Sequence, residues 1–220
     1  MLDTYAIRSY SQEGEDIILR KLFDRKSRGF YVDVGAHHPR RFSNTHCFYQ
    51  TGWQGINIEP NPDAMREFQS ERGRDINLQF GVGVCSGCRK YYLFDDSALN
   101  TFDQRVAESR IAETPYKLTG TLEVPVDRLD RLLQKYLPAN QHIDFLSIDV
   151  EGHDLQVLHS NDWQLYRPHC VLVESLDTSI EGAIRGEIFH FMNRQGYELL
   201  AKTFNTLIFR ERVDARSGRE

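Results

Sequence analysis

Nowhere in its 220 residues does this chain carry an apolar run of about 18, the length a membrane-crossing helix needs. Residues 1–10 lack the basic-then-apolar layout of a secretion signal, so the cytoplasm is the expected compartment. Positive charge is not in excess. With 27 Lys and Arg against 32 Asp and Glu, the net charge of -5 removes the general electrostatic motive for binding nucleic acid or an anionic membrane. Cysteine is scarce. Of the four, Cys85 and Cys88 form one Cys-x-x-Cys, but no second pair follows at the spacing of a structural zinc site. The pair precedes an apolar run at 90–94 and reads as a hairpin turn, whereas a thioredoxin-like motif opens a helix. No Gly-x-Gly-x-x-Gly follows the first apolar run and no Tyr-x-x-x-Lys is present, which disfavours a nicotinamide oxidoreductase. Internal repeats and low-complexity tracts are absent too.

What remains is ordinary for a globular chain: 40% apolar and 27% charged, with a mean hydropathy of -0.53. Its length suits one domain, expected over 1–210, that buries roughly 70% of the unfolded surface. Apolar runs with strand character fall at 29–34, 55–59, 77–84, 90–94, 122–126, 143–149 and 169–174. Helical patterns fall at 12–23, 43–51, 63–71, 127–136, 154–159 and 184–195, the first placed to lie against a sheet edge. Runs at 197–201 and 205–209 are too close for a crossover and must pair as a hairpin. Residues 95–120 are polar and irregular around a short helix at 101–112, and form a candidate substrate lid. The polar tail 211–220 is expected to be disordered. Strands alternating with helices and closed by a hairpin describe an α/β doubly wound sheet, mostly parallel with an antiparallel edge.

In such a sheet the ligand lies outside the carboxyl ends of the strands, at the point where strand order reverses. Acids stand at four of these ends: Asp33, Glu59, Asp149 and Glu174. A dinucleotide site wants its acid about 20 residues beyond the first motif. Here Asp33 lies inside that motif, just before Gly35 and Ala36, and Glu59 closes the next run. Two acids at successive strand ends suit a ligand with both a positive charge and a ribose diol, and S-adenosylmethionine has both. Glu59 would accept the ribose hydroxyls, Asp33 would sit near the ammonium or sulfonium, and Gly35 and Ala36 would admit the methionine portion. Backbone at Gly83 and Val84 would meet the adenine.

Ser11-Gln12 with Glu15-Asp16, Val32-Asp33-Val34-Gly35-Ala36 and Ser43-Asn44-Thr45 are followed by Gly52-Trp53 and Ile58-Glu59-Pro60-Asn61-Pro62, then by Ile148-Asp149-Val150-Glu151-Gly152-His153-Asp154. Together these resemble the FkbM-type methyltransferases, over about residues 9–210. The resemblance implies a class I methyltransferase, Rossmann-like fold and methyl transfer from S-adenosylmethionine to hydroxyls of saccharides, glycans or polyketide-like acceptors. It adds Ser11, Gln12, Pro60, Asn61 and Asp149 to the cofactor contacts. The chain departs from the broad glycine motif after Ala36, where His37-His38-Pro39 stand in place of further small residues. Adjacent loop histidines are more often solvated or capping than catalytic.

An alcohol needs a proton acceptor to attack a sulfonium methyl. Glu151 ranks first for that role and His153 second, with Asp149 positioning cofactor or acceptor. An alternative use of Asp149, Glu151 and Glu174 is to hold Mg²⁺ through oxygen ligands. Trp53 and Trp163 read as packing residues. Expected partners are a small-molecule or glycan acceptor and a second copy of the chain. The competing reading is a non-catalytic module that keeps the fold for ligand binding or interaction.

Overall fold

Runs rich in Val, Ile and aromatic residues, buried on both faces, build the centre of the molecule. The structure, a computed structural model, describes residues 4–177 and 179–212. Helix α1 (Glu15–Leu22) precedes β1 (Phe30–Val34), α2 (His46–Gln50), β2 (Gln54–Ile58), α3 (Pro62–Glu71) and β3 (Ile76–Leu78). Next come β4 (Gly81–Val82), β5 (Gly87–Phe94), a 3-10 turn at Ser97–Leu99, α4 (Gln104–Glu113), β6 (Leu118–Asp127) and α5 (Leu129–Tyr136). The chain ends with β7 (Phe145–Ile148), α6 (Asp154–His159), β8 (Cys170–Glu174), α7 (Ile180–Ala183), α8 (Glu187–Arg194), β9 (Tyr197–Lys202) and β10 (Thr206–Glu211).

The main sheet runs β3-β2-β1-β7-β8-β10-β9, with β10 antiparallel to both neighbours and the pairs from β3 to β8 parallel. Strand order therefore reverses between β1 and β7. Along β1, Phe30, Val32 and Val34 face a core with α5, α6 and α8, through Leu129, Val157 and Met192. Tyr31 faces the other way, into a cluster with Leu19, Phe48, Trp53 and Phe145. By alternation Asp33 shares that second face.

The structure departs from the sequence reading in several places. The expected strand 77–84 is two strands in two sheets, because β3 pairs with β2 whereas β4 pairs with β6. Its apolar alternation continues through the turn at Phe80, so the pattern does not register the change of sheet. Cys85 and Cys88 do not sit in a hairpin turn: β6 lies between β4 and β5, and both thiols are free and exposed. The expected helix 184–195 is α8, which starts only at Glu187 behind Gly186 as its cap, and a separate short helix, α7, precedes it. Helix α4 starts at Gln104, where the Asp103 carboxylate accepts from the N–H groups of Arg105 and Val106. Helix α1 lies on a face of the sheet through Leu19, not at an edge. Glu211 belongs to β10 and its carboxylate pairs with Arg167 at 2.8 Å; residues 213–220, where the tail was expected, lie outside the described residues. The closing hairpin is present as expected.

One polar network lies inside the second face. Arg72, fully buried just past α3, pairs with Asp75 at 3.0 Å. Its guanidinium also donates to the Pro39 carbonyl (2.9 Å), the Tyr31 hydroxyl (2.7 Å) and Thr45 Oγ1 (3.0 Å). Asp75 accepts in addition from the Gly55 N–H, the Tyr31 hydroxyl and Asn57 Nδ2. Breaking a buried pair by removing one partner strands the other charge, so Arg72→Met is expected to cost about 3–5 kcal/mol in urea unfolding. A loss below about 1 kcal/mol would mean that Asp75 finds water or another donor, and the network would then not organise this face.

Candidate functional site

A cleft of about 1100 Å³, open at its mouth, lies beyond the carboxyl ends of β1, β2 and β7. That is the switch point of the sheet, where ligands of open α/β folds bind. The strand ends pinch together at Gly35. Its φ is +78°, and a Cβ there would stand 1.8 Å from the Asp149 carbonyl oxygen, so only hydrogen fits. Ala36 is buried against Met65 and Phe68. The backbone thus comes right up to the cleft wall with almost no side chain in the way.

Asp33 points into this region with one carboxylate oxygen accepting from Thr45 Oγ1 at 3.1 Å. Burial raises its pKa to about 6, against the opposing pull of Arg72 and hydrogen bonds from Thr45 and Ser147. Glu59 is held more rigidly. Its Oε2 accepts from the His37 N–H at 2.9 Å and its Oε1 from the Asn61 N–H at 2.8 Å. It is 5% exposed, and burial pushes its pKa to about 7 despite those two bonds. Each oxygen keeps a lone pair for a further donor. Pro60 lines the cleft beside it, while Asn61 is spent as the cap of α3, its side chain accepting from the Asp63 N–H.

The loop after β7 supplies the facing wall. Glu151 and Gly152 are both left-handed, with φ of 55° and 90°. Asp154 shapes this turn by accepting from the N–H groups of Val150 and Gly152, both at 3.1 Å. Asp149, Glu151 and His153 all line the cleft. Asp149 is exposed and lines this wall. The protein around it, with the charges of Glu174, Asp154 and Glu151, holds its pKa well above the ordinary carboxylate value. Glu151 is paired with Arg110 of α4 at 2.8 Å.

The sequence-derived candidates therefore divide. Gln12, Asp33, Gly35, Ala36, Glu59, Pro60, Asp149, Glu151 and His153 converge on one cleft. Ser11 does not line it, because its hydroxyl donates to buried Asp16 and closes the turn before α1. Gly83 and Val84 are displaced as well: the bend at Phe80 puts Phe80, Gly81 and Val82 on the wall, and the Gly83 N–H pairs with the Asp127 carbonyl. Glu174 stays outside, half-buried at the end of β8, with burial and neighbouring acids raising its pKa to about 8. No group of three or more His, Cys, Asp or Glu among the described residues is arranged to hold a metal ion. Glu151 is turned to Arg110, so the expected Mg²⁺ set of Asp149, Glu151 and Glu174 is not assembled. The sequence reading gave no site role to Asn44, whose amide donates to Ser147 Oγ at 3.1 Å, or to Arg89 of β5, whereas Ser97, Ala98 and Phe102 on the same wall belong to the segment 95–120 expected as a lid. Asn44 stood in the sequence only as part of the Ser43-Asn44-Thr45 motif of the family resemblance, with no contact assigned to it.

Within this cleft Glu59 is buried and has no cationic partner among the described residues. Below about pH 4.5 Glu59 is protonated in both the folded and the unfolded chain. Between that value and its folded pKa of about 7 the folded state binds the extra proton, so stability falls as pH rises through this window. At about 1.4 kcal/mol per pKa unit, Glu59 alone accounts for about 3 kcal/mol. The unliganded protein should therefore melt at lower temperature at pH 7.5 than at pH 5. Glu59→Gln should flatten the profile, and equal slopes for the two proteins would show that Glu59 does not titrate in this range.

Comparison with known proteins places this geometry. A search of curated proteins finds no match. Among solved structures the chain is similar to a candidate RNA methyltransferase from Pyrococcus horikoshii, at 10% identity and a TM-score of 0.46, covering 90% of this chain and 82% of that one. It is also similar to the C-terminal domain of precorrin-6Y C5,15-methyltransferase from Rhodobacter capsulatus, at 12% identity and a TM-score of 0.42, covering 96% and 92%. No helix among the described residues is long and apolar enough to cross a membrane. The seven-stranded sheet has the Rossmann-like, class I methyltransferase arrangement that the sequence led us to expect. The model of the FkbM methyltransferase domain matches residues 33–199, from the acid on β1 to the middle of β9, and this protein therefore belongs to the FkbM methyltransferase family.

Proposed function

We propose that the protein transfers a methyl group from S-adenosylmethionine to a hydroxyl of a saccharide, glycan or polyketide-like acceptor. The observation that carries this reading is Glu59, a desolvated carboxylate braced by two backbone N–H groups and lining the cleft beside Asp33 and Gly35. Its spare lone pairs suit a vicinal diol, and the acid of a dinucleotide fold grips a ribose in the same way. Asp33, four-fifths of the way along β1, would face the positive end of the ligand, which would offset its burial. The hydrogen-only surface of Gly35 would admit the methionine portion, and the Phe80–Val82 backbone would border the adenine. Bound there, S-adenosylmethionine would supply an electrophilic sulfonium methyl.

The remaining work falls to the chain. An acceptor oxygen must be held in line and must lose its proton. Glu151 and His153 stand on the same cleft wall and are the proposed proton acceptors, with Asp149 positioning the acceptor. Arg110 fixes the direction of the Glu151 carboxylate. The family resemblance supports a hydroxyl as the acceptor group.

In calorimetric titration the protein should bind S-adenosylmethionine and not NAD⁺, and Glu59→Ala should weaken that binding by about 1–3 kcal/mol. Binding of NAD⁺ alone would overturn the reading. Of Glu151→Gln and His153→Gln, the one that removes the proton acceptor should lower kcat by about 10²–10⁴ and leave donor affinity in place. If neither lowers kcat, the base lies outside this loop.

A further inference from the structure

The loop from Ala36 to Ser43 presents a surface to the cleft that the donor contacts leave unused. It holds two non-glycine residues in the left-handed region, His37 at φ 55° and Phe42 at φ 57°. Such a conformation is uncommon for any side chain and a clear outlier for a bulky one, and it persists where the surroundings over-determine it. The His37 N–H is fixed by Glu59. Its ring is stacked on that of Phe42, with centroids 6.2 Å apart and 19° between planes.

The two histidines of the doublet have parted. His38 is fully engaged, its Nδ1 accepting from the N–H groups of Arg40 and Arg41 and its Nε2 lying 3.2 Å from Glu67. His37 is the opposite case: the ring lines the cleft, yet Nε2 is buried and finds no hydrogen-bond partner in the protein. Of the buried side-chain atoms left unpaired among the described residues, it is the one that belongs to a cleft-lining side chain. A buried polar atom of this kind calls for a partner. Phe42 also lines the cleft and is left 41% exposed, although the Arg41 guanidinium lies over its ring at 4.4 Å from the centroid. Across from them stand Ser97 and Ala98, on a turn whose Asp96 approaches Arg41 to 4.0 Å.

We propose that this surface is the acceptor subsite, with His37 Nε2 exchanging a hydrogen bond with a hydroxyl and Phe42 offering an apolar platform to the C–H face of a sugar ring. The inference rests on the methyl-transfer reading and specifies which residues recognise the acceptor. A sugar alternates apolar C–H faces with hydroxyls, which matches an aromatic plane beside a single polar atom. Burial, with the charge of Arg41, holds the His37 imidazole down at about 4, so it meets its partner as a neutral group. A neutral imidazole suits a hydroxyl, and Arg41, the cation of this surface, is drawn toward Asp96. The strained backbone then has a use: it keeps the aromatic ring turned to the cleft and not folded into the core.

The test uses the full chain saturated with S-adenosylhomocysteine, whose affinity is read by calorimetry, and saturation-transfer NMR with methyl glycosides of common hexoses as the probe. Wild type should give saccharide signals. His37→Asn, which tolerates a left-handed backbone, and Phe42→Gly should each reduce them by about fivefold or more, with S-adenosylhomocysteine affinity within about twofold of wild type. Phe42→Tyr, which keeps the platform, should retain them. Because glycine relieves the strain at position 42, Phe42→Gly should melt at or above the wild-type temperature, and a fall of more than about 5 °C would make Phe42 a packing residue and overturn the proposal. Unchanged saccharide signals in both variants would overturn it too, and a tenfold loss of S-adenosylhomocysteine affinity in His37→Asn would assign the ring to the donor instead. Absence of saccharide signal from wild type with S-adenosylhomocysteine bound would overturn the subsite while leaving methyl transfer standing. Failure to bind S-adenosylhomocysteine at all would remove the methyl-transfer reading itself.

Discussion

The buried guanidinium of Arg72 is the interaction on which the cleft wall around Asp33 and Gly35 depends. It joins pieces of chain that no strand pairing connects: the end of α3, the Pro39 loop carbonyl, Tyr31 on β1 and Thr45 at the start of α2. Through Thr45 it reaches Asp33, and through Asp75 it reaches Gly55 and Asn57 on β2. A salt bridge so deeply placed is poor evidence of net stability, because desolvation consumes much of the Coulomb gain. Its value here is geometric. The loop that follows Gly35 is fastened at Pro39, and the acid on β1 is oriented by a hydroxyl that is itself held by the same guanidinium.

Around that anchor the cleft concentrates carboxylates where water is scarce. Asp33, Glu59, Asp149 and Asp154 all have pKa values raised chiefly by burial. They are not equivalent. Asp154 spends its oxygens on the turn after β7, and Glu59 has each oxygen half satisfied by backbone, whereas Asp149 has acids for neighbours. A ligand that brings hydroxyl donors and a positive centre relieves all of this at once, and a neutral apolar ligand relieves none of it.

Much of this was legible in the sequence for a physical reason. Strands buried on both faces must be apolar throughout, so an acid inside or just after such a run stands out, as Asp33, Glu59 and Asp149 do. The boundary of α6 at Asp154 and His159 was readable because the turn residues before it leave no ambiguity. Period-2 alternation says nothing of which partner a strand takes, so residues 77–84 read as one strand, and Gly83 and Val84 were expected at the cleft where Gly81 and Val82 stand. Arg72 was invisible because Glu-Arg-Gly-Arg-Asp looks like a solvated loop. His37 and His38 could not be told apart, since only the fold decides which imidazole finds partners. Arg110 lies in a polar stretch whose charges give no hint of the one that reaches Glu151.

The second sheet, β4-β6-β5, shares no strand pairing with the main one among the described residues, and between β5 and β6 the chain meets the main-sheet loops through the Arg110–Glu151 and Asp96–Arg41 contacts. The segment from β4 to β6 is thus a module inserted into a framework that folds around other contacts. Substitutions, insertions or exchange within it would reshape one wall of the cleft and leave the parallel strands and their acids in place. One wall of the cleft can in this way change its shape and chemistry while the acid-lined wall facing it keeps both.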